Sequence, residues 1–353
     1  MRSAQELLES GESIPWDRLL AEARTEAALT TIALPHDWAN YGEILSTVRE
    51  RYGLRITELN PAAGSGEELE AIELHKEKGG SGAPDVLDIG LGFTESAKEK
   101  GLLAPYKVAP WASIPENARD PDGYWCGNYY GVLAFEANLS LVKTVPLDWP
   151  DLLRPEYKNM VALAGDPTLS NQAIYSVWAA GLSRTGSLEE APMAGLEFFA
   201  ELHRIGNFVP LIADVYTVAA GDTPITIQWD YLGLSNRDTL KGEPDVAVVI
   251  PDSGILAGLY AQAISAYAPH PFAARLWSEF LFSDEGQLLW LEGYVHPIRY
   301  NELVAAYKVP LELAAKLPPP DSYARALFPT VPQITTAHKI ITENWHRVVL
   351  GDA

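Results

Sequence analysis

The chain has 353 residues, 47% hydrophobic and 21% charged, an ordinary balance for a globular protein and long enough for two domains. Its formal net charge of −21 argues against nucleic acid and anionic membrane as partners, because phosphate binding needs a cationic surface. One cysteine, Cys126, excludes an intrachain disulfide and a cysteine-rich zinc site, and no apolar run approaches the roughly 18 residues of a membrane span.

Residues Met1 to Gln5 carry no hydrophobic signal core. They read either as the start of a cytoplasmic chain or as one whose leader is absent from the sequence. Pro15 to Leu29 has helical periodicity with proline in its first turn. A strand is expected over Leu29 to Leu34, broken by Pro35, His36, Asp37 and Trp38, and a helix through Arg51 follows. The next strand, Leu54 to Leu59, empties into Pro61 to Gly66, and a helix runs from Glu67 to Lys78. At that junction Ser65 either offers its hydroxyl and neighbouring N–H groups to a polar ligand or caps the helix, with Glu68 completing a capping box.

Asp85 to Ile89 is a short apolar strand, and Thr94 to Gly101 a helix. The aromatic run Tyr124 to Gly131 then enters a strand at Val132 to Phe135. Tyr129 and Tyr130 either grip a ligand or alternate, one packed inward and one exposed. Cys126, beside Trp125 and Gly127, reads as a small buried filler. The strand Met160 to Ala164 stops at Gly165 to Asn171, where Ser170 caps a helix to about Leu182. Helices are expected over Glu189 to Arg204 and Asp214 to Ala220, with a strand at Val209 to Ile212 between them.

Pro224 to Ile227 reads as a buried strand that delivers Gln228, Trp229, Asp230 and Tyr231 at its end. An indole, a carboxylate and a phenol there suit a ligand site, since α/β sheets bind at strand C-termini. The alternative is two core aromatics with Asp230 capping the next helix. Strands follow at Asp245 to Ile250 and Tyr260 to Ser265, then one long helix from Pro271 to Leu291. Val295 to Arg299 is extended, and the tail from Leu303 is helical in pieces around the triple proline Pro318 to Pro320. Strands and helices alternate throughout, so the fold class is α/β, with parallel sheets wound on both faces in two lobes.

The sequence holds no Gly-x-Ser-x-Gly elbow, Walker loop or HExxH, its seven histidines do not cluster, and Gly64-Ser65-Gly66 lacks the third glycine of a dinucleotide fingerprint. Polar and aromatic loop ends without a nucleophile and base describe a binding protein rather than an enzyme.

The motif order, from about Trp16 to Trp290, resembles the substrate-binding proteins of ABC importers, of the two-lobed periplasmic binding type that includes ferric-iron, thiamine, polyamine and phosphonate binders. The residues that carry this resemblance are His36-Asp37-Trp38, the Ser65 helix start, Pro84 to Gly90, Gly101 to Tyr106, Gly131 to Asn138, Trp149 to Pro167, Thr223 to Leu232 and Phe272 to Leu289. It implies one lobe from residues 1–134 and 251–353 and another from 135–250, with strands near Val132 to Phe135 and Val246 to Ile250 crossing between them. It also implies a solute held between the lobes and closure that signals an importer permease. The expected protein is a periplasmic or extracytoplasmic monomer with no catalytic residue and no cofactor.

Against the iron-binding branch, His36 falls on a histidine ligand and Tyr231 on the second of two paired tyrosines. Asp230 stands in place of the first tyrosine and Gly90 in place of the glutamate, so ferric iron is the lesser expectation. The residues left to make a pocket are Asp37, Trp38, Tyr129, Trp229, Asp230 and Tyr231, aromatic faces and carboxylates that favour an amine-bearing organic solute. A phosphorylated or carboxylated solute would use Ser65, Thr168 and Ser170 instead. The reading of another class is a hydrolase or lyase with His36 as base, for which the sequence identifies no nucleophile.

Overall fold

The computed structural model describes residues 3–76, 82–318 and 320–351. Glu77 and Lys78, expected to end a helix, and Pro319 of the triple proline lie outside the described residues. The elements that matter here begin with α1 Trp16–Glu26, β1 Ala28–Ile32, α2 Tyr41–Tyr52, β2 Arg55–Leu59, α3 Ser65–Lys76, β3 Val86–Gly90 and the long β4 Trp125–Asn138. They continue with β5 Val161–Leu163, α4 Asn171–Thr185, α5 Ala191–Ile205, β6 Phe208–Ile212, β7 Ile225–Trp229, α6 Asp230–Leu240 and β8 Val246–Val249. The last are β9 Ala257–Ser265, α7 Pro271–Phe282, α8 Asp284–Glu292 and α9 Val331–Trp345.

The single long helix expected over Pro271 to Leu291 is two. Ser283 leaves the helical region (φ −66°, ψ 162°) and its Oγ accepts from the Gly286 N–H, starting α8 afresh. A serine followed by two acidic residues is a helix start, and here it overrides the continuous apolar periodicity.

The chain folds into two compact units, Met1–Tyr130 with Leu259–Ala314, and Gly131–Gly258 with Ala315–Ala353. In the first, β1 and β2 pair in parallel, Ala28 opposite Arg55, while β3 runs antiparallel to β9, Val86 opposite Ile264. Helix α1 packs on α7, and Leu29, Ile44, Val48, Ile72, Ile89, Trp277 and Trp290 fill the interior. Apolar area removed from water supplies most of the stabilisation of such a core, at about 25 cal/mol per Å².

In the second unit β5 lies parallel to both β6 and β7, and β7 runs antiparallel to β4, Leu133 opposite Trp229. The short β8 pairs antiparallel along the other edge of β4, Phe135 opposite Val249. The sheets are therefore mixed, not purely parallel. Helices α4 and α5 touch backbone to backbone: a Cβ on Gly181 would sit 1.8 Å from the Ala191 carbonyl oxygen, and one on Gly195 1.9 Å from that of Val177. Only glycine permits that approach.

The sequence placed residues 251–353 in the first lobe, whereas the second compact unit takes in residues 315–353. The reason is packing: Trp345 of α9 meets Phe199 and Phe208, and Tyr323 bonds to Asp230. The strand expected to cross near Val246 to Ile250 stays within the second unit, and β9 is the second strand, after β4, that passes from one unit into the other.

Candidate functional site

In the first unit the loop after β1 carries three of the candidates. His36 is exposed, and its Nε2 lies 2.6 Å from Glu58 Oε2. Asp37 is exposed. Trp38 is half-buried, its ring set edge-on to Tyr260 at 5.6 Å. The indole N–H of Trp38 donates to the Tyr129 hydroxyl at 2.7 Å, and that hydroxyl donates to Asp88 Oδ2 at 2.6 Å. Tyr129 itself is fully buried, stacked on Tyr260 at 5.3 Å, while Tyr130 is half-buried against His296. The two tyrosines thus alternate along β4, one in and one partly out.

Asp88 is the centre of this arrangement. Its Oδ1 accepts from Asn128 at 2.8 Å and from Gln262 at 3.2 Å. Burial pushes its carboxyl up to about 6, against the pull of hydrogen bonds from Tyr129, Asn128, Tyr41 and Gln262. Glu68 is also buried and accepts the Asp88 backbone N–H at 3.1 Å. Desolvation, helped by the neighbouring Asp88 charge, holds the Glu68 carboxyl well above the usual carboxylate range. The capping box expected at Ser65 does not form. Ser65 opens α3, and its hydroxyl accepts from the Gly90 N–H at 3.0 Å, while Glu67 accepts from the Gly64 N–H.

In the second unit the turn after β5 is built on Gly165, whose φ of +152° is open to glycine and whose Cβ would strike Ser170. Asp166 Oδ1 accepts from both the Thr168 N–H (2.8 Å) and its hydroxyl (2.7 Å), and the Ser170 hydroxyl accepts from the Ala173 N–H at the start of α4. Of the three hydroxyls of the expected anion cradle, Thr168 thus donates to a carboxylate, while Ser65 and Ser170 each accept a backbone N–H.

Trp229, Asp230 and Tyr231 are buried. The Trp229 indole is fully buried, tilted against Tyr175 at 5.5 Å, and its backbone N–H donates to Gln172 Oε1. Tyr231 lies over Gly131, where a Cβ would come within 2.5 Å of the ring. Asp230, at the first position of α6, accepts from the Val132 N–H at 2.9 Å and from the Tyr323 hydroxyl. Burial raises its carboxyl to about 6. The burial of Trp229 and Tyr231 agrees with the alternative of two core aromatics, but Asp230 is the first residue of α6 and not the cap that the alternative made it.

Three functional-looking groups escaped sequence reasoning: Asp88, Glu136 and Tyr323. Glu136 of β4 is fully buried, accepts from Gln228 and from Asn236 (2.9 Å), and is raised to about 7 by desolvation. The signal for the two acids was present, a lone carboxylate inside an otherwise apolar strand, because a buried charge persists only where partners await it. Among the described residues no group of three or more His, Cys, Asp or Glu side chains is placed to hold a metal ion. Among them, too, no helix is long and apolar enough to cross a membrane.

Residues 81–322 match the family of bacterial extracellular solute-binding proteins. The chain is also similar to the solved periplasmic binding protein P5PA, at 19% identity and a TM-score of 0.71, covering 92% of this chain and 99% of that one. AfuA from Actinobacillus pleuropneumoniae, with fructose-6-phosphate bound, matches at 21% identity and a TM-score of 0.69, covering 92% and 98%. Iron-bound HitA from Pseudomonas aeruginosa matches at 18% and 0.67, covering 90% and 97%. At such identities the likeness carries the fold, the two-lobed periplasmic binding fold, and the bound species are those proteins' own.

Proposed function

Because the chain belongs to the bacterial extracellular solute-binding proteins of ABC transporters, we propose that it captures a small amine-bearing organic solute outside the cytoplasm and delivers it, as a monomer, to an importer permease. One observation carries the choice of solute. Trp38 presents a half-buried indole whose orientation is fixed through Tyr129, next in sequence to the exposed carboxylate of Asp37. An indole face attracts an organic cation through its quadrupole, and a carboxylate beside it supplies the counter-charge. The net charge of −21 favours the approach of a cation over that of a phosphate.

The phosphorylated-solute reading stands behind this one, since Thr168 donates to Asp166 and Ser170 caps α4. Ferric iron stands further back, with His36 paired to Glu58 and Asp230 taken by Val132 and Tyr323. An enzyme remains without a nucleophile to name.

The test is a thermal-shift series with putrescine, spermidine, 4-aminobutyrate, fructose-6-phosphate and Fe³⁺, followed by calorimetry on the best solute. A solute at 100 times its dissociation constant stabilises by about 2.7 kcal/mol. Amines are expected to shift the transition, and Asp37→Asn to weaken them. Stabilisation by the sugar phosphate or by iron, with none by any amine, overturns the reading.

A further inference from the structure

We propose that Asp88 and Tyr129 are positioning residues that set the indole of Trp38 for its ligand, rather than ligand contacts themselves. This rests on the amine reading of the Trp38 loop. Four observations within the first unit carry it. Tyr129 is fully buried and stacked on Tyr260, so its ring face is not open to a solute. Its hydroxyl is committed in both senses, accepting the Trp38 indole N–H at 2.7 Å and donating to Asp88 Oδ2 at 2.6 Å. The other Asp88 oxygen is held by Asn128 and Gln262, which stops the carboxylate rotating. Gln262 is itself fixed by the Trp277 indole N–H and reaches the Tyr41 hydroxyl.

The direction of the chain follows from the donor inventory. An ionised Asp88 has only acceptor oxygens, so it accepts the Tyr129 O–H and leaves a Tyr129 oxygen lone pair for the Trp38 indole N–H. A proton on Oδ2 reverses the link. The acid then donates to Tyr129, whose own hydrogen must turn elsewhere and competes with the indole N–H. The groups facing Asp88 are Glu68 of α3, Tyr41 of α2, Asn128 and Tyr129 of β4, and Gln262 of β9. Of these Glu68 alone carries a second carboxyl, and desolvation with the neighbouring Asp88 charge holds it well above the usual carboxylate range. Asparagine cannot replace Asp88, because one amide oxygen cannot serve donors on both sides of the group.

Nitrogen-15 NMR of the indole N–H groups, with Trp38 assigned from Trp38→Phe, reads the brace without any ligand. In Tyr129→Phe the Trp38 resonance should move upfield and its solvent exchange quicken by up to about tenfold, the worth of one hydrogen bond. In the wild type the same resonance should titrate with a midpoint near 6, and that titration should survive His36→Gln, which removes the imidazole on the same loop, and be lost in Asp88→Asn. If Tyr129→Phe leaves the resonance and its exchange where they were, the brace is wrong. Should that variant not fold, the wild-type titration decides, and a flat profile from pH 5 to 8 overturns the proposal. Calorimetry with putrescine then adds function: a several-fold loss of affinity in Tyr129→Phe supports the positioning role. A shifted resonance with unchanged affinity refutes that role. If putrescine and the other amines all fail to bind, the amine reading falls while the NMR result on the brace still stands.

Discussion

The carboxylate of Asp230 receives the hydroxyl of Tyr323, a residue 93 positions further along the chain. The bond ties the first turn of α6 to the C-terminal tail inside the second unit and completes the coordination of a carboxylate that is 1% exposed. Its other oxygen accepts the Val132 N–H. A buried charge with two directed donors is tolerated, and one stripped of a donor is costly, since the lost partner leaves an unmet desolvation penalty.

Tyr323→Phe should therefore destabilise the protein by about 1–3 kcal/mol in urea unfolding at pH 7.5. The deficit should shrink toward pH 5, because an Asp230 already raised to about 6 in the intact protein is then protonated and needs the donor less. A variant as stable as the wild type at both pH values would mean that the bond contributes nothing.

Gly258 on β9 lies directly beneath the buried Trp229 ring, and a Cβ added there would fall 2.0 Å from the indole Cη2. Neither a strand backbone nor a fully buried indole yields by that amount without moving its neighbours. Gly258→Ala is expected to lower stability by about 1–3 kcal/mol through overpacking. Near-ultraviolet circular dichroism should report the displaced indole, and an unaltered spectrum with an unaltered midpoint would refute the steric argument.

Much of the fold was legible because it is written locally. The β-branched run Ile225 to Ile227 announces a strand, Asn171 to Thr185 announces a helix behind its Ser170 cap, and both stand where expected. The break at Ser283 was missed, because apolar periodicity on either side reads as one continuous helix. The site was less so. Trp229, Asp230 and Tyr231 look identical on paper whether a strand end delivers them to solvent or to a core, and the deciding partners, Gln172, Tyr175, Val132 and Tyr323, come from other parts of the chain. The brace behind Trp38 was hidden for the same reason: Tyr129 is 91 positions away and Asp88 another 41 back.

Glu136 supplies a prediction whose sign follows from linkage. Its folded-state carboxyl is raised to about 7 by burial, above the usual 4.5, so the folded protein holds a proton that the unfolded chain has released between those values. Stability from this group is thus present below about pH 4.5, declines as pH rises toward 7, and stays diminished above it. Glu136→Gln removes the titration. Relative to wild type its unfolding free energy should improve with rising pH between 5 and 7, by at most about 1.4 kcal/mol per pH unit. Urea midpoints of the two proteins that run parallel across that range would exclude Glu136 as the titrating group.

Trp38 and Trp229 separate binding from packing. Trp229 is wholly enclosed, and Trp229→Ala leaves a void beside Tyr175 and Gly258. Truncating a buried tryptophan costs about 3–5 kcal/mol, felt as a lower thermal midpoint. Trp38 is half-buried on a loop, and its removal forfeits one hydrogen bond to Tyr129 and an edge contact with Tyr260. The stability loss should be the smaller of the two. Affinity should behave the other way round. Trp38→Ala is expected to weaken an amine solute by about tenfold or more, since a desolvated cation–π contact is worth up to about 2 kcal/mol. Trp229→Phe, which keeps most of the volume and so the fold, is expected to leave affinity within about twofold, a fraction of 1 kcal/mol. Calorimetry and thermal melts on the same preparations measure both quantities. If Trp229→Phe abolishes binding while Trp38→Ala spares it, the solute is recognised by the second unit's aromatic strand end and the role given to Trp38 is wrong.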